Sequence, residues 1–290
     1  MAIDSSISRF ASMSLNICSL NSGSNGNCYY IGNDKDAVLV DAGISCRETE
    51  TRMKGLGLLL SSVKAIFISH EHTDHISGLA GISKKYNLPV FISPGTLSNC
   101  RFALSKNLVS HFNAGNPVSV GSLSVTAFRK SHDARDPHSF IVSANDVNVG
   151  VFTDIGYPGK DLIRFFKQCH AAFLEANYCE LMLENGSYPR FLKNRISGKQ
   201  GHLSNTQALE LFTKHRAEQL SHLILSHLSE NNNDPGLVSR LFSAHARDTK
   251  IIVAPRYEAS PVYTIIPIPV AKKVKAVRKP QDGKKQLSLF

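Results

Sequence analysis

Within six consecutive positions the chain carries three histidines and an aspartate, His70, His72, Asp74 and His75, directly after the apolar run Val63–Ile68. A run of that length and composition predicts a buried strand, and the polar segment after it predicts the start of a helix. The fold must therefore bring a strand end to an open edge, which is where layered α/β proteins place their sites. Three imidazoles and a carboxylate so close together offer nitrogen and oxygen ligands to borderline metal ions. The alternation of His70 with His72 lets two rings point the same way from extended chain. The plainer alternative is a polar helix N-terminus with Asp74 as its cap, but helix capping needs one such residue and not four.

The rest of the chain alternates in the same manner. Short apolar runs at Leu15–Leu20, Cys28–Ile31 and Ala37–Val40, separated by Ser, Gly, Asn and Asp, predict strands. Helical periodicity follows at Arg47–Leu58 and Ile76–Tyr86, with a further strand at Val90–Ser93. A second β-rich block covers Val118–Phe128, Ser139–Val142 and Asn148–Phe152. After it come strands at Ala172–Leu174, Leu223–Leu225 and Ile251–Val253, and helices at Asp161–Gln168, Thr206–His215 and Gly236–Ala246. Two β-rich halves, each followed by strand and helix units, predict two sheets packed face to face with helices outside.

Two metal ions need more ligands than one cluster holds, and further candidates stand at later strand ends. His132 follows the strand ending near Phe128, Asp154 follows Phe152, and His227 follows Leu225. Any one of these alone reads as a solvated loop residue; their shared placement at strand ends makes them a set.

The segment His70–His75 shows the HxHxDH pattern, and with it the chain resembles the metallo-β-lactamase superfamily from about Leu15 to Ile265. That resemblance implies an αββα sandwich and two divalent ions, Zn2+ or Mn2+. It also implies a ligand set: His70, His72 and His132 on one ion, Asp74, His75 and His227 on the other, and Asp154 between them. Asp41, in Val38–Gly43, matches an early aspartate of the superfamily with a structural role and is not expected to be a ligand. The chain is similar, more narrowly, to the YycJ/WalJ-type branch in Ser22–Cys28, Ser131–Asp133, Leu174–Asn177, Gly201–Asn205 and His227–Asn232. The branch implies nuclease activity, with 5′ to 3′ exonuclease action on DNA as the expectation. Asp74 is the expected orienting group for the attacking water, and His202 the candidate for contacting the scissile phosphate or protonating the leaving oxygen. The alternative for the latter segment is that Ser204 or Asn205 merely caps a helix and His202 is exposed. Glu175 and Asn177 are candidates for hydrogen bonds to ligand histidines. The Ser22–Asn27 loop reads as a site rim or a tight turn, and His138 as a weaker substrate-side candidate.

Charge distribution adds to the picture. The net charge is +10, but Ala271–Lys285 alone holds seven basic residues against Asp282, a local +6, which leaves +4 for the remainder. This segment predicts a basic, flexible linker over 267–285, after a hydrolase domain over 14–266 and an N-terminal extension over 1–13. Beyond the linker, Gln286, Leu287, Ser288, Leu289 and Phe290 resemble the short peptide by which bacterial replication and repair proteins bind the sliding clamp. Apolar side chains there would fill a pocket while the Gln286 amide sets register. Six scattered cysteines without a CxxC pair predict reduced thiols. With no apolar run of membrane-spanning length and no signal-like start, the expected location is the cytoplasm, with no membrane partner.

Two other readings stay open at this level. The same ligands suit an enzyme acting on RNA or on a small cyclic phosphodiester, since fold alone does not fix substrate. A non-catalytic DNA-repair adaptor with a structural metal is the reading of another class, although structural zinc sites are mostly closed and sulfur-rich.

Overall fold

The computed structural model describes residues 14–267, which form two seven-stranded sheets. In the first sheet β1 (Leu15–Asn21), β2 (Cys28–Gly32) and β3 (Ala37–Val40) run as an antiparallel meander. From β3 the pairing turns parallel through β4 (Val63–Phe67), β5 (Val90–Phe91) and β6 (Val109–Ser110). The second sheet repeats this plan. Strands β7 (Pro117–Val120), β8 (Leu123–Arg129), β9 (His138–Ala144) and β10 (Val147–Phe152) are antiparallel. Strands β11 (Ala171–Glu175), β12 (His222–Ser226) and β13 (Lys250–Val253) then continue in parallel from β10.

Side-chain alternation along the strands builds three apolar layers. In β3, Val38 and Val40 point into the space between the sheets, whereas Ala37 and Leu39 point outward under the helices. In β11, Ala171 and Phe173 point inward, and Ala172 and Leu174 outward. Strands buried on both faces explain why these segments read as continuous apolar runs and not as alternating ones. Tyr29, Phe67, Phe140 and Phe173 fill the inter-sheet layer, and the rings of Tyr29 and Phe173 meet at 4.8 Å across it.

The outer layers are α1 (Cys46–Gly55), α2 (Thr73–Ile76), α3 (Leu79–Tyr86) and α4 (Pro94–Asn99) on the first half. On the second half are α5 (Lys160–Phe166), α6 (Glu180–Asn185), α7 (Arg190–Ser197), α8 (Asn205–His215) and α9 (Pro235–Ser243). Together they give the αββα sandwich expected from the sequence. Ser45, Ser93, Ser204 and Asp234 accept backbone N–H groups at the helix starts, and Ser204 with Gln207 forms a complete capping box.

Three differences from the expected elements have local causes. The helix predicted over Ile76–Tyr86 is broken at Ser77 and Gly78, because the strand exit at 42–44 passes there. The Gly78 N–H donates to the Ala42 carbonyl at 2.9 Å, and a Cβ on Gly78 would meet the Ile44 carbonyl oxygen at 1.8 Å. The short helices α4, α6 and α7 were not anticipated; α7 carries Phe191, Leu192 and Ile196 but buries none of its residues, so no core contact fixes it. Part of the extended Pro261–Pro269 segment is the strand β14 (Tyr263–Ile265), which pairs antiparallel with β1 and sets Ile265 opposite Leu15. All six cysteines are free. Among the described residues no helix is long and apolar enough to cross a membrane. The expected extension over 1–13, all of the linker except Pro267, and the peptide 286–290 lie outside the described residues.

Candidate metal centre

The C-terminal ends of β3, β4, β10, β11 and β12 and the loop from β8 to β9 lie along one rim, and every ligand candidate comes from that rim. Asp41 leaves β3, Ser69 to His75 leave β4, His132 lies after β8, Asp154 leaves β10, Glu175 ends β11 and His227 leaves β12. Asp41, Asp154 and His227 have positive φ, at 62°, 56° and 55°. Left-handed backbone is uncommon for residues other than glycine, though Asp and His tolerate it better than most. Three such turns at strand exits of a single rim bend the chain sharply, and this is a feature of functional sites.

The candidate residues converge in two groups. Donor atoms of His70, His72 and His132 lie within 4.8 Å of one another, as do those of Asp74, His75 and His227. Asp154 stands between the groups: one oxygen is 3.2 Å from His75 Nε2, the other 3.8 Å from His132 Nε2. All seven predicted ligand residues are therefore in one place.

Ring orientation follows from the hydrogen bonds on the far side of each imidazole. Ser69 Oγ donates to Asp41 Oδ2 at 2.8 Å, so it accepts from His70 Nδ1 at 2.9 Å and leaves His70 Nε2 with its lone pair toward the centre. His132 Nδ1 donates to the Gly201 carbonyl at 3.1 Å, which frees its Nε2 in the same way. His70 Nε2 and His132 Nε2 then stand 3.1 and 3.3 Å from His72 Nδ1. The edge of a tetrahedron with corners about 2.0–2.1 Å from its centre is about 3.3 Å, the spacing of ligands around zinc-like ions. Burial holds His132 down to about 3 and His70 well below the usual histidine range, so both rings are neutral, the form that could bind a metal.

The second group is anionic. Burial opposes charge on Asp74 and Asp154, yet facing histidines outweigh it and hold both carboxyls well below their usual range. Burial likewise opposes the proton on His227, but Asp154, Asp74 and Glu175 raise it to about 10. Protons on His75 and His227 thus balance carboxylates that a divalent cation would otherwise neutralise. Two atoms aimed into the centre, Asp154 Oδ2 and His227 Nε2, are buried and make no hydrogen bond. Unsatisfied buried polar atoms of this kind are the mark of an ion-binding cradle, and the residues present fit two divalent ions.

Asp74 is not a helix cap. The cap position of α2 is His72, and Asp74 Oδ2 accepts from Asn27 Nδ2 at 3.1 Å while lying 3.4 Å from His75 Nε2 and 3.5 Å from His227 Nε2. The Ser22–Asn27 loop is therefore part of the site: Asn27 holds Asp74, and Ser22 Oγ accepts the His227 N–H at 2.8 Å. Its polar side chains, and not only its backbone, do this work.

Glu175 is a junction. Its Oε1 accepts from His202 Nδ1 at 2.8 Å and His227 Nδ1 at 3.0 Å, and its Oε2 from the N–H groups of Ile155 and Leu203. These four hydrogen bonds satisfy the carboxylate, so this corner orients side chains and does not itself need an ion. Asn177 acts differently from expectation: its amide holds the backbone carbonyl of His227, at 2.7 Å, and not a ring. Ser204 does cap α8, yet His202 is four-fifths buried and turned toward Glu175, so the two alternatives for that segment hold together in part. His138 is not on the substrate side. It is buried against Phe112, with Nδ1 donating to the Asp136 carbonyl at 2.9 Å.

Residues 36–227 match the family described as the beta-lactamase superfamily domain. The chain is 35% identical over 225 residues to the exodeoxyribonuclease YycJ of Bacillus anthracis, covering 76% of this chain and 85% of that protein. It is 30% identical over 219 residues to the exodeoxyribonuclease WalJ of Streptococcus pneumoniae, covering 74% and 81%. The metallo-beta-lactamase fold protein YhfI from Bacillus subtilis superposes with a TM-score of 0.69 at 14% identity, over 87% of this chain and 99% of the other.

Proposed function

Given that the chain belongs to the metallo-β-lactamase superfamily and is a hydrolase of that fold, we propose that it is a dinuclear-metal phosphodiesterase, a DNA exonuclease acting 5′ to 3′ in repair or replication. The observation that carries this reading is the pair of ligand groups with Asp154 between them. His70, His72 and His132 would hold one ion and Asp74, His75 and His227 the other, with Asp154 shared; Zn2+ and Mn2+ both suit such donors. When bound, two divalent ions neutralise phosphate oxygens and activate a water for in-line attack on phosphorus.

The remaining chemistry belongs to the side chains. Asp74, kept anionic by His75 and His227, can accept a hydrogen bond from the attacking water and fix its lone pair toward phosphorus. With Nδ1 of His202 held by Glu175, its Nε2 is the ring nitrogen left to contact the scissile phosphate or donate a proton to the leaving oxygen. DNA as substrate rests on the relatives, both named exodeoxyribonucleases. The peptide Gln286–Phe290 would tether the enzyme to the sliding clamp through the basic segment before it, in keeping with a DNA substrate; it lies outside the described residues.

The test is incubation of metal-loaded protein with end-labelled double-stranded DNA, single-stranded DNA and RNA, beside Asp74→Ala and His75→Ala proteins. Shortening of DNA from its 5′ end, absent in both variants, is the expected result. Cleavage of RNA alone, or of neither polymer, would replace DNA with RNA or a small cyclic phosphodiester as the substrate. Absence of any metal-dependent turnover would leave the adaptor reading.

A further inference from the structure

A cavity of about 670 Å³ opens beside His132, between the loop after β8 and the start of α5. Its wall carries Arg129, Lys130 and Lys160 against the single acid Asp161, together with Tyr157 and Gln200. Tyr157 is half exposed, and it is one of few large apolar side chains left open to solvent among the described residues. The charges are not equivalent. Lys130 Nζ donates to the Thr153 carbonyl at 2.8 Å, which anchors it in the wall with its charge close to Asp154 and His132. Arg129 faces Asp136 at 3.4 Å but is three-quarters exposed. Asp161 is drawn to Arg164, also at 3.4 Å, and among the described residues no carboxylate pairs with Lys160. The wall therefore presents a positive surface and an open aromatic face within reach of the ligand His132.

From this we propose that the cavity is the track for single-stranded DNA leading to the metal centre, with Tyr157 stacking a base and Lys160 and Arg129 contacting phosphates. This rests on the nuclease reading above and adds to it the path of the strand. A positive groove tracks a phosphate backbone without regard to sequence, and an aromatic face accepts any base because every base has a π surface. The combination is the chemistry that an enzyme shortening DNA of arbitrary sequence requires. The aliphatic side chains Ile155 and Leu162 of the lining are buried, so what the groove offers a ligand is its cations and the open Tyr157 ring.

Anisotropy of a fluorescent 20-nucleotide single strand, bound by full-length protein carrying Asp74→Ala, which removes one expected metal ligand and with it cleavage of the strand, tests this. Adding Tyr157→Ala should weaken binding about tenfold, the effect of one lost base stack. Adding Lys160→Ala or Arg129→Ala should flatten the dependence of log affinity on log salt by about 0.7 for each cation removed. Lys214→Ala on α8, an exposed lysine paired with Glu210, controls for general loss of charge and should change neither quantity. Hydrolysis of bis(p-nitrophenyl) phosphate by the unaltered protein reads the metal chemistry separately. DNA cleavage by the unaltered protein, with groove variants that bind as tightly and with the same salt slope as Asp74→Ala alone, overturns the track and leaves the nuclease. An unaltered protein that hydrolyses the small diester but neither binds nor cleaves DNA overturns both.

Discussion

The carboxylate of Asp41 lies 2.7 Å from Nδ1 of His75, and both side chains are completely buried. The same carboxylate accepts the N–H and the hydroxyl of Ser69, at 2.8 Å each, so one residue at the end of β3 fixes both the exit of β4 and the ring of His75. Asn tolerates the left-handed backbone of position 41 nearly as well as Asp. Asp41→Asn should therefore fold but lose about 10- to 100-fold in metal affinity, the usual effect of removing a carboxylate behind a ligating histidine. Metal titration and metal content after dialysis measure this; wild-type affinity in the variant would show that Asp41 matters only for folding.

Gly43 tests a close approach. A Cβ there would stand 1.7 Å from the backbone carbonyl oxygen of Asp74; at the same crossing the Gly43 N–H donates to the Asn27 carbonyl at 2.9 Å, and the Asn27 N–H donates to that Asp74 carbonyl at 2.7 Å. Backbone cannot rotate away as a side chain can. Gly43→Ala should destabilise the fold by about 2–3 kcal/mol, as overpacking does, and displace Asp74. Urea denaturation with metal measurement should show both losses together.

The Glu175–His227 pair makes the metal-free protein sensitive to pH in both directions. Burial opposes both charges, but His202 and His227 lower Glu175 from 4.5 to about 2, and Asp154, Asp74 and Glu175 raise His227 from 6.5 to about 10. The Glu175 contribution is present above pH 4.5 and lost as pH falls toward 2. The His227 contribution is present below pH 6.5 and lost as pH rises toward 10. Melting temperature of the metal-free protein should be highest between these ordinary values and fall on the alkaline side. Metal binding replaces the His227 proton and should abolish that alkaline fall. A metal-free melting temperature that climbs from pH 6.5 to 9 would contradict the assignment.

His202 is four-fifths buried and lies outside the two expected ligand sets, although its ring also groups with Asp154, Glu175 and His227. His202→Ala should retain two ions per chain and lose about 100-fold in kcat on DNA, the scale of a lost proton donor. Full turnover with both metals present would remove His202 from the chemistry.

Deleting Gln286–Phe290 should abolish binding to the sliding clamp and leave hydrolysis of short DNA intact. Surface-immobilised clamp with full-length and shortened protein measures the first, and unchanged clamp affinity in the shortened protein would refute the tether.

What the sequence determined by itself was local. Apolar runs bounded by turn residues place most strands, and the crowding of His70, His72, Asp74 and His75 after one of them marks the rim, because strand burial and ligand chemistry are properties of neighbouring residues. The strand-end positions of His132, Asp154 and His227 were legible for the same reason. Tertiary structure decided which atoms face the centre. His70 points Nε2 inward because Asp41, 29 positions away in the chain, takes the Ser69 hydroxyl, and Glu175 orients His202 and His227 across separations of 27 and 52 residues. It also broke the helix at Gly78 and turned His138 into the core, since both depend on distant chain passing close by. No local period encodes such contacts; they arise only when two sheets bring their strand exits to a common rim.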